Sequence, residues 1–294
     1  MFQKASKVID KNRAPKAVGK KKTAVCRPSA RVRLRICAVA AAAVIGCAIC
    51  GEGLCPYDPY AQDLSLVKAA PSLAHLFGTD RYGRDVLSRV IAGGHASVLS
   101  ALGLVAVIVL IGTAAGLCGG WFGGVLDTVL MRIADVFLAF PGLVLALAAA
   151  AVLGGGLGGA VISLAAVSWP KYARLSRSQT LSVKEEPYIR AAVLAGDGPD
   201  RLLLRHILPN IAGPILVSAV TDIGQMMMEL AALSFLGLGA RAPVPEWGSM
   251  MSEGRSLLAT HPWLTFAPGL AIFVCVMIFS LLGDALRDVL DPRA

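Results

Sequence analysis

Apolar residues cluster along the chain in six runs, each long or nearly long enough to cross a bilayer as a helix. They cover residues 36–51, 98–118, 133–153, 157–173, 211–238 and 266–283. A membrane-spanning helix needs about 20 mostly apolar residues, and lipid excludes backbone whose polar groups are unpaired. The pattern therefore predicts an all-α membrane protein with six transmembrane helices over residues 36–294.

Composition supports helices in lipid over the other common classes. The chain is 56% hydrophobic and 16% charged, with a mean hydropathy of +0.67. A soluble domain would carry more charge. Aromatic residues make up only 6% of the chain while glycine occurs 31 times. This composition suits helices packed closely through small residues better than a barrel with aromatic girdles.

The net charge of +9 comes from one end of the chain. Residues 1–35 contain twelve Lys/Arg and a single acidic residue, Asp10. A basic stretch directly before the first apolar run is typical of a cytoplasmic tail, because positive charges near spans stay inside. No nucleic-acid-binding motif accompanies the tail, so we expect no nucleic-acid partner and expect the membrane lipid to be the relevant surface.

Six crossings from an inner N-terminus place both termini in the cytoplasm. Residues 56–97 and 239–265 then form external loops, and each holds equal numbers of acidic and basic residues. The stretch from Lys171 to Arg205, by contrast, has seven basic residues against four acidic ones. This excess agrees with a cytoplasmic position for residues 174–210.

The polar stretch 174–210 has more local structure than a simple connection requires. It predicts a short helix over 188–195 ended by Gly196, because glycine adopts the left-handed conformation of a C-cap at little cost. Pro199 and Asp200 are typical of the first turn of a second helix, over 200–207, which Pro209 is expected to close. A compact helix–turn–helix of this kind indicates a docking element.

The fifth apolar run carries a polar stripe. Ser218, Asp222, Gln225 and Glu229 are spaced at helical intervals on one face. Acidic residues inside a span are costly and usually face protein or a water-filled cavity. Two interpretations remain open here. The stripe lines a translocation path, or it makes polar contacts with another helix through residues such as Arg132 or Lys171.

Two other groups of polar residues also leave alternatives open. Asp80, Arg81, Arg84 and Asp85 are expected to form turn caps and surface ion pairs, or to contact a protein that delivers the solute. In the third run, Pro141 predicts a kink, beside which Asp135 lines the path or pairs with a nearby arginine.

No catalytic or metal-binding constellation is predicted. The four histidines lack metal-ligand spacing, and Cys47 and Cys50 form a CxxC without a second pair. The chain has no phosphate-binding loop of the Walker type, so we expect no ATP hydrolysis, no cofactor and no metal site within it.

The spacing within residues 190–209 resembles the EAA loop of bacterial ABC-importer permeases. The matching stretch includes Arg190, Ala191, Ala192, Gly196, Asp197, Asp200, His206, Leu208 and Pro209. In that family the loop forms coupling helices that sit in a groove of a separate ATPase subunit. Arg190 replaces the family's Glu, and His206 replaces an aliphatic residue. The alternative is an amphipathic loop that rests on lipid headgroups.

Three further stretches are similar to the dipeptide, oligopeptide and nickel permeases. They are HLFGTDRYGRDVLSRVIAG from residue 75, LSFLGLGARAPVPEWGSMM from residue 233 and GDALRDVLDPR from residue 283. The resemblance implies the type I importer bundle and an inner-membrane permease that moves a peptide, nickel or a metal chelate by alternating access. It also implies two ATPase subunits, a second homologous permease and an extracytoplasmic solute-binding protein as partners.

Two rival classes remain at this point. An ion-coupled secondary transporter would use Asp222 and Glu229 as its relay, but should show inverted repeats. A membrane receptor or scaffold would work through the basic tail and would leave the pattern of residues 189–210 unexplained.

Overall fold

The computed structural model describes residues 30–290, and all regular elements in this range are helices. The bounds are α1 Ala30–Cys50, α2 Val86–Phe122, α3 Gly124–Leu138, α4 Gly142–Val152, α5 Gly156–Lys184, α6 Pro187–Leu194, α7 Pro199–Arg201, α8 Leu208–Phe235, α9 Trp247–Gly254 and α10 Trp263–Leu290. A π-helical turn, Leu202–Ile207, joins α7 to α8, and single 3₁₀ turns occupy Gly51–Leu54, Leu64–Leu66 and Arg255–Leu257. Most of the predicted basic tail, residues 1–29, lies outside the described range, and residues 30–35 belong to α1.

Four helices in the described range are long and apolar enough to cross a membrane: α1, α2, the helix ending with α8, and α10. The broken pair α3–α4 adds a fifth if it counts as one span. Helix α5 has the length to cross, but its second half carries Lys171, Arg174 and Arg177, which lower its hydropathy. The fold is thus an all-helical membrane bundle, and its span count by length and hydropathy is four to five.

Small residues bring α2 and α5 together in the most extensive helix contact of the bundle. At Gly112 and Gly116 of α2, a Cβ atom would overlap the backbone of α5, and at Gly120 it would press on Thr180. The Ser176 hydroxyl of α5 donates to the Tyr172 carbonyl at 2.8 Å and also lies 3.3 Å from the Gly112 carbonyl. Close backbone approach through small residues is how helices associate in lipid, where the hydrophobic effect no longer drives their packing.

The third apolar run forms two helices with a break between them, not one kinked helix. Helix α3 ends at Leu138, α4 begins at Gly142, and the two axes meet at 91°. Pro141, in extended conformation, occupies the N-cap position of α4. Proline has no N–H to continue a helix and disfavours helical backbone in the residue before it, so the helix ends there.

Two helices extend well beyond the predicted spans. Helix α2 begins at Val86, so residues 86–97 of the segment predicted to lie outside are helical and continue directly into the second apolar run. Its start is set by Asp85, whose carboxylate accepts from the Ser88 amide at 2.7 Å. Helix α5 continues to Lys184 through the first part of the polar stretch, which is helix-compatible as far as Pro187, and two of its arginines pair with acids of α3 there.

The bundle has two ends with different character. One end, called here the 51–85 end, combines the irregular segment before α2 with α9 and the turn between α4 and α5. Arg241, in the connection between α8 and α9, donates to the Gly154 carbonyl in the turn between α4 and α5 at 2.6 Å. The opposite end, the 187–207 end, carries α6, α7 and the π-helical turn. The N-terminal part of α1 and the C-terminal part of α10 lie together, with Arg33 and Asp288 3.0 Å apart.

Candidate functional site

The segment 187–207 forms the predicted helix–turn, held by backbone hydrogen bonds at its centre. Gly196 has φ +89°, a left-handed conformation that favours glycine. The Gly196 amide donates to the Val193 carbonyl at 3.0 Å, and the Asp197 amide donates to the Ala192 carbonyl at 3.1 Å. These bonds end α6 and turn the chain. All the residues that make them lie within 192–197, so the turn is a local structure.

Asp197 fastens the turn to the second half of the segment. Its carboxylate accepts from Arg201 at 3.0 Å and lies 3.2 Å from Nε2 of His206. These hydrogen bonds, that from Arg201 foremost, lower the pKa of Asp197 below its usual value of 3.8. The histidine that replaces an aliphatic residue of the family pattern thus contacts the turn directly.

The second half of the segment does not close at Pro209, which corrects the prediction. The chain continues from α7 through the π-helical turn into α8 without a break in the helix. The Leu208 amide donates to the Leu203 carbonyl, five residues back, just before the proline. This wider turn relieves the clash between a proline ring and the carbonyl four residues before it. The segment is therefore rigidly joined to α8.

Buried and exposed apolar residues alternate along the same segment. Ile189, Leu202 and Ile207 are buried in the bundle and anchor it. Leu194 is 89% exposed and Leu204 is 66% exposed at the surface. Leu194 and Leu204 thus present apolar side chains to the outside of the segment.

The remaining residues of the predicted coupling pattern lie mainly on the exposed side. Arg190, at the family's Glu position, donates to Glu185 at 2.6 Å, and both side chains are mostly exposed. The exposed residues of the pattern also include Ala191, Asp200 and Pro209, and Ala192 and Leu208 are half-buried. This chain therefore has no carboxylate at position 190 itself, but Glu185, which precedes Pro187, places one beside Arg190.

The structure divides the predicted polar stripe of α8 into two parts. Asp222 is buried and accepts from Lys171 Nζ at 2.7 Å through both oxygens, and from the Tyr172 hydroxyl at 2.8 Å. Gln225 is exposed and donates to the half-buried Glu229 at 2.8 Å. Ser218 is half-buried one turn before Asp222. Asp222 therefore makes the contact with Lys171 foreseen as an alternative, while Gln225 and Glu229 stay near the surface.

Helix α5 also carries two arginines that bond to α3, the first helix of the broken pair. Arg174 donates to Asp135 at 2.5 Å, and Arg177 donates to both oxygens of Asp127 at 2.5 and 2.6 Å. Asp135 thus pairs with α5 and not with the neighbouring Arg132. Three basic residues of α5, namely Lys171, Arg174 and Arg177, are thus each bonded to an acidic residue on another helix.

At the 51–85 end, the structure contains a buried charge cluster that the sequence did not reveal. Arg84 is 2% exposed, and its Nε donates to Asp80 at 2.6 Å while Nη2 donates to Glu253 at 3.2 Å. Arg89, also buried, donates to the Pro59 carbonyl at 3.1 Å. Turn capping was a correct expectation for Asp85, but the ion pairs expected on the surface are internal.

Comparisons with known proteins give the context of these features. Residues 108–294, which contain both the 187–207 segment and α8, match the family described as binding-protein-dependent transport system inner membrane component. The chain belongs to this family. It is therefore a membrane permease of a transport system, and nothing in the match supports the ion-coupled or scaffold alternatives.

Individual relatives differ in the solute that their names give. The chain is 43% identical over 223 residues to the dipeptide transport system permease protein DppC of Alkalihalophilus pseudofirmus, covering 76% of this chain and 73% of the relative. It is 42% identical over 251 residues to the glutathione permease GsiD of Pectobacterium atrosepticum, covering 85% and 83%. It is 40% identical over 262 residues to the nickel permease NikC of Escherichia coli K12, covering 89% and 94%.

Proposed function

We propose that the chain is a permease subunit of an ATP-driven ABC importer that moves a peptide or a nickel chelate across the bacterial inner membrane. The single observation that carries this proposal is the exposed 187–207 element, which continues as unbroken helix into α8. The relatives are named for dipeptide, glutathione and nickel transport, which sets the range of solutes.

The proposed topology has six crossings: α1, α2, the broken pair α3–α4, α5, α8 and α10. Helix α5 belongs among them because it packs against α2 along a stripe of glycines. The ion pair Arg33–Asp288 supports placing both chain ends on one side of the membrane. The basic N-terminal tail favours the cytoplasm for that side.

The 187–207 end then meets the ATPase subunits. An exposed apolar surface anchored by buried neighbours is typical of a protein-interaction site. Leu194 and Leu204 supply that surface, and Arg190, Ala191, Ala192, Gly196, Asp197, Asp200, His206, Leu208 and Pro209 form the segment that presents it. Movement of an ATPase would pass through the π-helical turn into α8 without a flexible joint.

The other partners follow from the same arrangement. A second homologous permease would pack beside this one, with Ser218, Asp222, Gln225 and Glu229 of α8 along or next to the path between them. A solute-binding protein would deliver cargo at the 51–85 end, which the topology places outside. Alternating access would follow from ATP-driven closure on the opposite side.

The test compares two glycines with the same backbone requirement. Gly196 and Gly154 both have positive φ, and a Cβ at either position meets nothing within 4 Å. Alanine at either position therefore costs about 1–2 kcal/mol of local strain without a clash. Each variant is purified from the native host, and the co-purifying ATPase subunit and its ATP hydrolysis are measured.

We expect Gly196→Ala to reduce the co-purified ATPase activity while Gly154→Ala, at the other end of the bundle, leaves it near normal. Gly196→Pro should abolish it, since proline cannot adopt φ +89°. Equal activity in all three variants, or the lack of any ATPase subunit with the unmodified chain, would contradict the coupling role.

A further inference from the structure

A polar cavity of about 300 Å³ opens at the 51–85 end, between the end of α8 and α9. Its lining includes Arg81, Ser234, Ser249, Ser252, Glu253 and Arg255. This volume lies at the lower limit of small-molecule sites, in which charged and hydroxyl groups fix the orientation of the ligand. None of these residues belongs to the 187–207 segment or to the polar stripe of α8.

Ser234 is the buried polar group in this cavity. Its side chain belongs to a residue only 2% exposed, and its hydroxyl has no hydrogen-bond partner within residues 30–290. A buried hydroxyl without a partner costs free energy, so a ligand atom that accepts from it is favoured. Two other hydroxyls of the lining are occupied: Ser252 donates to the Phe235 carbonyl and Ser249 donates to the Glu246 carbonyl, both at 2.8 Å.

The charges at the cavity leave a positive surplus. The Glu253 carboxylate forms an ion pair with Arg84 at 3.2 Å. The Arg81 guanidinium lies 3.8 Å from the same carboxylate, too far for a hydrogen bond. Arg255 rests 5.6 Å above the Phe235 ring and forms no ion pair within the described range. The guanidinium groups of Arg81 and Arg255 therefore retain N–H donors for a ligand, and Glu253, the only carboxylate in the lining, is already paired with Arg84. Arginine's forked donors match a carboxylate well.

We propose that this cavity binds the carboxylate of the transported solute, with Arg255 and Arg81 as charge partners and Ser234 as a neutral donor. The proposal rests on the proposed function, because that function places the 51–85 end where solute enters. It favours a carboxylate-bearing cargo, such as a small peptide or a carboxylate chelate of nickel, over the bare cation.

The test measures binding to the purified full chain in lipid nanodiscs by ligand-observed NMR. The probes are the dipeptide Ala-Ala and its C-terminal amide, which lacks the carboxylate charge. A hydrogen bond to a charged group contributes about 1.5–3 kcal/mol, so we expect the amide to bind about tenfold or more weakly. Equal binding of the two probes to the unmodified chain would overturn the proposal.

Three variants assign the effect to the cavity. Ser234→Ala removes a hydroxyl that has no partner, so it should not destabilise the fold, yet it should reduce binding of Ala-Ala. Arg255→Gln should remove most of the preference for the carboxylate, and Arg255→Lys should restore part of it. Arg241→Gln is the matched control, since Arg241 is an exposed arginine at the same end that bonds to the Gly154 carbonyl.

Other outcomes separate the alternatives. Loss of binding in Arg241→Gln as well would mean a general charge effect and would refute the site. Unchanged Ala-Ala binding in Ser234→Ala and in Arg255→Gln would overturn the proposal, and a loss of response to the solute-binding protein in Arg255→Gln would then assign Arg255 to a protein contact. The proposed function can also fail separately. If the purified chain binds the carboxylate but its deletion leaves cellular uptake unchanged, the proposed function is refuted and the site is not.

Discussion

The Lys171–Asp222 pair between α5 and α8 gives a prediction about which face of the bundle meets water. The Asp222 side chain is 6% exposed, whereas that of Lys171 is 53% exposed. Removal of either partner breaks the same 2.7 Å contact but leaves a different charge behind. The two single substitutions should therefore differ in cost.

Lys171→Met leaves a buried carboxylate with the Tyr172 hydroxyl as its main remaining partner. An uncompensated buried charge costs about 3–5 kcal/mol, and the tyrosine bond puts the expected loss near the lower end, about 3 kcal/mol. Asp222→Asn leaves a half-exposed ammonium, which water can solvate if this face lines an aqueous path. The remaining cost is then about 1 kcal/mol for an imperfectly paired buried amide.

Stability is measured by denaturation with SDS in mixed micelles, for both single variants and for the double variant. Lys171→Met/Asp222→Asn should recover most of the loss, because no buried charge is left. If Asp222→Asn costs as much as Lys171→Met, the ammonium faces lipid and not water. That result would refute the placement of this face of α8 along the translocation path.

Three further predictions follow from the contacts. Gly116→Ala should destabilise the bundle by about 1–3 kcal/mol because α5 occupies the space of the added Cβ, whereas Gly103→Ala, whose Cβ meets open space, should not destabilise it in the same SDS denaturation. Arg177→Met should loosen the broken third span, seen as faster hydrogen exchange in α3 and little change in α10. The pKa of Asp197 is lowered in the folded chain, so its bond from Arg201 stabilises the turn above pH 3.8 and is lost as pH falls further. Amide hydrogen exchange at residues 196–201, corrected for the intrinsic rate, should therefore rise as pH falls below 3.8. Asp197→Asn should remove this rise, and the same rise in the variant as in the unmodified chain would refute the assignment to Asp197.

Local features of this molecule could be predicted from sequence because the residues that decide them are neighbours. Gly196 fixes the end of α6, and Pro199 begins the next turn, as expected. The proline rule gave the wrong result at Pro209, where a π-helical turn absorbs the missing donor and keeps the helix continuous. The break at Pro141 was predicted as a kink, but the two helices meet at 91°, an angle that proline spacing does not specify.

Contacts between distant residues set the rest. Asp222 and Lys171 are 51 positions apart, so helical spacing could place the acid on a face but could not choose between a path and a partner helix. Arg84 and Glu253 are 169 positions apart, and nothing in either local stretch indicates that their charges are internal. Helices α2 and α5 extend beyond their apolar runs, and the Asp85 cap of α2 and the ion pairs of α5 with α3 lie in these polar extensions.

The central claim is that this chain carries solute in an ATP-dependent importer, and uptake in cells tests it most directly. Cells lacking the chain are supplied with labelled nickel, Ala-Ala or glutathione, before and after the intact chain or Gly196→Pro is restored, with and without ATP depletion. We expect uptake of at least one solute to fall on deletion, to return only with the intact chain, and to stop on ATP depletion. Uptake that returns equally with Gly196→Pro, or that continues without ATP, would contradict the claim.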